Sequence, residues 1–159
     1  MIDPALPVMH VNWHEANAYC KFARRRLPSE AEWECAAAGT AGGGKRRYPW
    51  GDSEPDESRA NLGNSSRIPV SALPRGDSDR GCRQMLGNVW EWTSSDLNPF
   101  PGFVCDPYKE YSEPWFGTNK VLRGGSFTTP GRLIRNTLRN FYTPERHDIF
   151  AGFRTCALD

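Results

Sequence analysis

The stretch from Met85 to Thr93, reading Met-Leu-Gly-Asn-Val-Trp-Glu-Trp-Thr, constrains this chain more than any other. Two tryptophans flanking a glutamate, set behind Gly-Asn, make a poor exposed loop and an unusual helix. They suit a tight turn whose buried rings hold a loop-rich domain together while the carboxylate points into a polar site. The stretch Val-Leu-Arg-Gly-Gly-Ser-Phe at 121–127 reads similarly, because paired glycines permit backbone angles and close approaches that a Cβ forbids. With 15 Gly and 13 Pro, regular structure is interrupted often, so the 6 Trp, 8 Phe and 5 Tyr must supply much of the core. The expected class is α+β, loop-rich, with little regular secondary structure.

A length of 159 residues predicts one domain over 1–159. The 20 basic and 19 acidic residues leave a net charge of +1, which makes no electrostatic case for nucleic acid. The basic clusters Arg24-Arg25-Arg26 and Lys45-Arg46-Arg47 border turn-like segments and read as solvated faces. No apolar run approaches the ~18 residues that span a bilayer, and no basic-then-apolar leader opens the chain. The expectation is a soluble cytoplasmic protein with no membrane partner. Five scattered cysteines without a CxxC pair fit reduced thiols packed as small hydrophobes.

Two local signals predict helices. Asn12 with Glu15 forms an N-cap pair opening a helix through about Arg25, with Ala16, Tyr19, Cys20 and Ala23 inward. Ser29 with Glu32 repeats the signal, placing Ala31, Cys35 and Ala38 on one face until Gly39. Short strands are expected at Val8–Val11, Val89–Thr93, Val121–Leu122 and Phe150–Thr155, with an aromatic turn at Tyr48–Gly51. Residues 52–83, interrupted by Pro55, Pro69 and Pro74, should be irregular. Of the histidines, His10 precedes the first helix and so does not share a face with His14, and His147 is remote. No transition-metal site is predicted within the chain.

The Met85–Thr93 and Arg123–Ser126 words, with Ala-Gly-Phe-Arg at 151–154, resemble the sulfatase-modifying-factor domain, the fold of the formylglycine-generating enzyme. That resemblance implies a C-type-lectin-like architecture whose opening part is missing before Pro7. The family's oxidase carries copper on cysteines that follow Arg-Gly-Gly-Ser. Here Phe127–Arg135 holds no thiol, and Thr128 cannot serve soft copper(I).

Another branch is nearer. Pro-Val-Met-His-Val-Asn-Trp at 7–13, Arg26–Glu34, Glu110–Phe116 and Arg135–Arg146 are similar to the C-terminal domain of ergothioneine synthases (EgtB type) and selenoneine synthases (SenA type). The resemblance implies a non-haem iron enzyme that uses O2 to join sulfur or selenium to hercynine, a betaine of histidine. It places Leu97, Phe100, Asn140, Phe141, Tyr142 and Arg146 in the substrate pocket. Asn140 and Phe141 would contact hercynine, and Arg146 would hold an anion of the thiol or selenium donor. Tyr142 stands where mycobacterial-type enzymes carry Asp, and Leu97 where they carry a catalytic Tyr, so no catalytic residue is assigned. Phe100, Phe141 and Trp115 also admit a plain reading as core aromatics.

Fe(II) in those synthases sits on histidines of a helical-bundle domain, a pattern this sequence does not contain. A partner domain or subunit is therefore implied, with Fe(II) not bound by this chain. The resemblance further implies a calcium site at Gln84, Gly87, Val89 and Glu91. The alternative for Glu91 is a carboxylate satisfied by neighbouring backbone N–H groups. Two rival functions are a non-catalytic lectin-like binding module, which a preserved, aromatic-lined pocket would count against and a solvent-filled or collapsed one would support, and the cysteine oxidase disfavoured by Thr128.

Overall fold

The computed structural model of the protein describes residues 3–158. Helix α1 (Trp13–Phe22) and helix α2 (Glu30–Ala38) both begin with a reciprocal capping box. Asn12 accepts from the Glu15 backbone N–H at 2.9 Å and donates its own N–H to the Glu15 carboxylate at 2.8 Å. Ser29 and Glu32 do the same for α2. Each box satisfies two donors that the helix's hydrogen-bonding pattern leaves over. Helix α1 stops short of the expected Arg25, and Arg24 beyond it takes a left-handed φ of 53°.

Four strands form one sheet: β1 (Trp90–Asp96), β2 (Lys120–Arg123), β3 (Arg139–Tyr142) and β4 (Ala151–Gly152), in the order β3-β2-β1-β4. The β1–β2 and β2–β3 pairs are antiparallel, and β1–β4 is parallel. The expected strand at Val8–Val11 is absent, although the Val11 carbonyl accepts from Trp92 Nε1. The expected strand at Phe150–Thr155 shrinks to two residues.

Alternation along β1 and β2 feeds the first of two cores. Trp92 and Leu122 pack with Ala16 and Cys20 of α1. The other core joins Trp33 and Ala37 of α2 to Tyr48, Met85, Leu86 and Ile134. Helix faces differ from expectation. Tyr19 is 55% exposed, and α2 buries Trp33, Ala37 and Ala38 while Ala31 and Cys35 face outward. Trp33 sets the phase of α2, because a ring of that size outweighs the small residues of the opposite face.

The three conspicuous words meet at the sheet. Gly87 N–H donates to the Gly124 carbonyl at 2.7 Å, and Phe127 N–H to the Asn88 carbonyl at 2.9 Å. Glu91 is paired with Gly152 across β1–β4. Gly124 has φ +96°, and a Cβ there would lie 2.8 Å from the Met85 carbonyl oxygen. No side chain fits.

The α2 capping box carries a pH signature. Hydrogen bonds from Arg26, then from the Ser29 backbone and hydroxyl, lower the Glu32 carboxyl to about 2. A carboxyl depressed in the folded state stabilises above its unfolded value, near 4.5, and that contribution is lost as pH falls through about 2. Glu32→Gln should therefore lower the thermal midpoint at neutral pH, with the difference from wild type closing between about pH 4.5 and 2. A difference independent of pH over that window would show that the charge plays no part.

Candidate functional site

Strand β3 lies at the sheet's edge, and all four of its residues are half-buried. Opposite it, residues 108–119 fold as two single turns of 3-10 helix, Lys109–Tyr111 and Glu113–Trp115. Pro114 starts the second turn, and Trp115 Nε1 donates to the Glu110 carbonyl at 3.0 Å. The segment is tied down at its end, where Leu97 N–H donates to the Asn119 carbonyl and Gly117 N–H to the Leu97 carbonyl.

These anchors set Tyr108, Tyr111 and Trp115 against Phe141 and Tyr142 around a cavity of about 360 Å³. Tyr108 and Tyr111 are about two-thirds exposed and Trp115 is 40% exposed, so this aromatic wall is surface rather than core. Glu110 and Asn119 add polar groups to the rim. Arg146 stands at the mouth, its guanidinium 4.9 Å from the Tyr142 ring centre and 2.6 Å from Asp148. The hydrogen bond from Arg146 holds the Asp148 carboxyl below its ordinary range, outweighing the opposing effect of desolvation. A concave wall of π-faces beside a half-exposed guanidinium suits a ligand with an organic cation at one end and an anion at the other.

Of the six expected pocket residues, the structure brings Phe141, Tyr142 and Arg146 together. Asn140 sits on the same strand, but its side-chain oxygen accepts from the Phe141 N–H at 2.9 Å. Leu97 is only 3% exposed and belongs to the interior, which corrects its placement in the pocket. Phe100 is corrected too: it is 63% exposed, lies 4.4 Å beneath the Arg139 guanidinium and borders a separate hollow with Glu30 and Glu34. The wall residues Tyr108 and Tyr111 went unassigned by sequence reasoning. Their signal is the aromatic and acidic density of residues 108–116, which reads as irregular loop until β3 is placed opposite.

Beneath the second hollow runs a chain of charges: Lys45–Glu34–Arg123–Glu30–Arg139. Burial would raise the Glu34 carboxyl, but Lys45 and Arg123 outweigh it and hold the group below its ordinary value. Arg139 fixes the start of β3 by donating twice to Glu30, at 2.6 and 2.8 Å.

The four residues expected to hold calcium do gather, around a smaller cavity of about 220 Å³. The side-chain oxygens of Glu91 and Gln84 are already engaged. Glu91 accepts from Trp33 Nε1 at 2.6 Å and from Arg154 at 2.5 and 2.7 Å, while the Gln84 side-chain oxygen accepts from Asn88. This arrangement does not fit a calcium ion, which corrects that expectation. Side chains satisfy the Glu91 carboxylate, where the alternative reading had backbone N–H groups.

His10, His14 and His147 are all exposed, and among the described residues no three His, Cys, Asp or Glu side chains converge as a metal cluster. Only Cys20 of the five free thiols is buried. Thr128 is exposed, with its hydroxyl 2.9 Å from that of Ser126. No helix among the described residues is long and apolar enough to cross a membrane.

The sulfatase-modifying factor enzyme 1-like domain matches residues 2–158. The chain belongs to that family. Over 152 residues this sulfatase-modifying-factor domain is 51% identical to a hercynine oxygenase of Mycobacterium tuberculosis, covering 93% of this chain and 36% of that protein. It is 37% identical over 175 residues to the formylglycine-generating enzyme of Streptomyces coelicolor, covering 98% of this chain and 54% of that one. The structure of PvdO from Pseudomonas aeruginosa shares the fold, with a TM-score of 0.75 at 24% identity over 98% of this chain and 63% of PvdO. The chain thus spans about a third of the length of the hercynine oxygenases it matches. The loop-rich α+β fold is the family's, as the Met85–Thr93, Arg123–Ser126 and Ala151–Arg154 words imply.

Proposed function

We propose that this domain forms the substrate-binding face of an enzyme that joins sulfur or selenium to hercynine. The carrying observation is the aromatic cavity between β3 and residues 108–116, which unites Phe141, Tyr142 and Arg146 with Tyr108, Tyr111 and Trp115. Half identity to a hercynine oxygenase supports the reading. In it, the trimethylammonium group lies against the rings, and each good cation–π contact contributes ~0.5–2 kcal/mol. Arg146 leaves its exposed partner Asp148 to hold a carboxylate of the thiol or selenium donor. That exchange costs little, because an exposed ion pair competes with water and contributes little net stability.

Iron held by a helical-bundle partner domain or subunit would supply the oxygen chemistry; the residues described here bind and orient. The aromatic lining of this cavity counts against the lectin-like module. The cysteine-oxidase reading is disfavoured by the absence of any thiol between Phe127 and Arg135.

Calorimetric titration of the purified chain tests this reading. Hercynine should bind more tightly than histidine, whose α-ammonium is also cationic at neutral pH but is far more strongly hydrated than a trimethylammonium and so gains less against the rings. Trp115→Ala should erase most of that preference, and Arg146→Ala should leave it in place while weakening the donor. Equal affinity for hercynine and histidine would reject the proposal.

A further inference from the structure

We propose that Arg154 is a built-in replacement for a divalent cation, so that the turn at Gln84–Glu91 is held by a guanidinium and is indifferent to calcium. The inference concerns the cavity beside β1 and β4 and does not rest on the functional reading above.

The geometry carries it. Nε of Arg154 donates to Glu91 Oε2 at 2.5 Å, and one terminal nitrogen donates to Glu91 Oε1 at 2.7 Å. That same nitrogen reaches the backbone carbonyls of Arg83 at 3.2 Å and Gln84 at 3.5 Å. A carboxylate and converging backbone carbonyls are the oxygen set that a hard divalent ion requires. Here the guanidinium sits on them. Its donors and charge do the ion's work of neutralising Glu91 and tying the turn to the C-terminal segment.

The Gln84 side chain is committed as well. Gln84 Nε2 donates to the carbonyls of Pro69 and Ala72 at 2.8 and 3.1 Å, and its oxygen accepts from Asn88, so the amide cannot swing onto an ion without breaking these bonds. Trp33 Nε1 takes a further lone pair of Glu91. Calcium needs roughly six to eight oxygens at ~2.3–2.6 Å. Supplying them would require displacing both Arg154 and Trp33 from a side chain that is 9% exposed. The ion pair is local to the chain, so it forms with folding and at any calcium concentration.

The test is thermal unfolding of the full chain in a calcium chelator and in millimolar calcium, with terbium luminescence sensitised by the neighbouring tryptophans as an independent binding readout. The expected result is an unchanged midpoint and no saturable terbium signal that depends on Glu91. In Arg154→Ala the vacated oxygens should acquire a saturable response, with the midpoint rising in calcium and the rise abolished by adding Glu91→Gln. A calcium-dependent rise in the wild-type midpoint that Glu91→Gln abolishes would overturn the proposal. So would a folded Arg154→Ala that gains no response. A wild-type response that survives Glu91→Gln places the ion elsewhere and leaves the proposal standing. Should Arg154→Ala not fold, the wild-type and Glu91→Gln measurements decide alone.

Discussion

Arg123→Ala should cost about 3–5 kcal/mol, a large part of the ~5–15 kcal/mol that holds a typical domain together. The Arg123 side chain is 1% exposed and donates to Glu30 at 2.9 Å, to Glu34 at 2.7 Å and to the Asn136 carbonyl. Truncation leaves two largely buried carboxylates without their shared cation. It also strands a buried carbonyl and opens a void beside Trp33, whose ring the guanidinium faces at 5.3 Å. Arg139 and Lys45 remain, but each touches only one of the two glutamates. The uncompensated burial is what costs, since the pair itself is close to balanced against its desolvation. A combined Arg123→Met, Glu30→Gln and Glu34→Gln variant should therefore recover much of the loss in urea unfolding. A loss below about 1 kcal/mol for Arg123→Ala would contradict the assignment, because exposed pairs behave that way.

What the sequence disclosed tracks how local each signal is. The capping boxes at Asn12–Glu15 and Ser29–Glu32 are legible because donor and acceptor lie three residues apart, and both appear as read. On α2 the expected inward residue Ala38 is buried, but Ala31 and Cys35 turn outward, because the decisive contact, Trp33 to Glu91, joins residues 58 apart in sequence. Strand β3 was visible only as a binding segment, since Arg-Asn-Phe-Tyr has no alternation to announce an edge strand. Part of the aromatic wall follows from that segment. The rest, Tyr108, Tyr111 and Trp115, comes from a loop whose position depends on Leu97 and Asn119 pairing across the chain. Leu97 itself shows the limit of reading by resemblance: it was expected to line the pocket, yet its side chain turns inward. The fate of Glu91 was equally long-range, resting on an arginine 63 residues away.

Trp33→Ala is the second substitution with a large expected effect, again about 3–5 kcal/mol. The side chain is 1% exposed, fills the core between α2 and the sheet, and touches both buried charge clusters. Its N–H donates to Glu91 at 2.6 Å, and its ring lies beneath Arg123. Gly124 leaves room for it, since a Cβ there would approach the ring to 3.2 Å. Packing and hydrogen bonding separate through Trp33→Phe. Phenylalanine keeps most of the apolar volume but removes the donor, and a hydrogen bond to a charged acceptor contributes ~1.5–3 kcal/mol. Arg154 still covers both Glu91 oxygens in that variant, so the loss should fall toward the lower end. A double-mutant cycle with Glu91→Gln then isolates the bond: the Trp33→Phe penalty should shrink when the acceptor is neutral. If Trp33→Phe costs as much as Trp33→Ala, the indole N–H rather than the ring volume governs the packing of α2, and the two-core description of the fold needs revision.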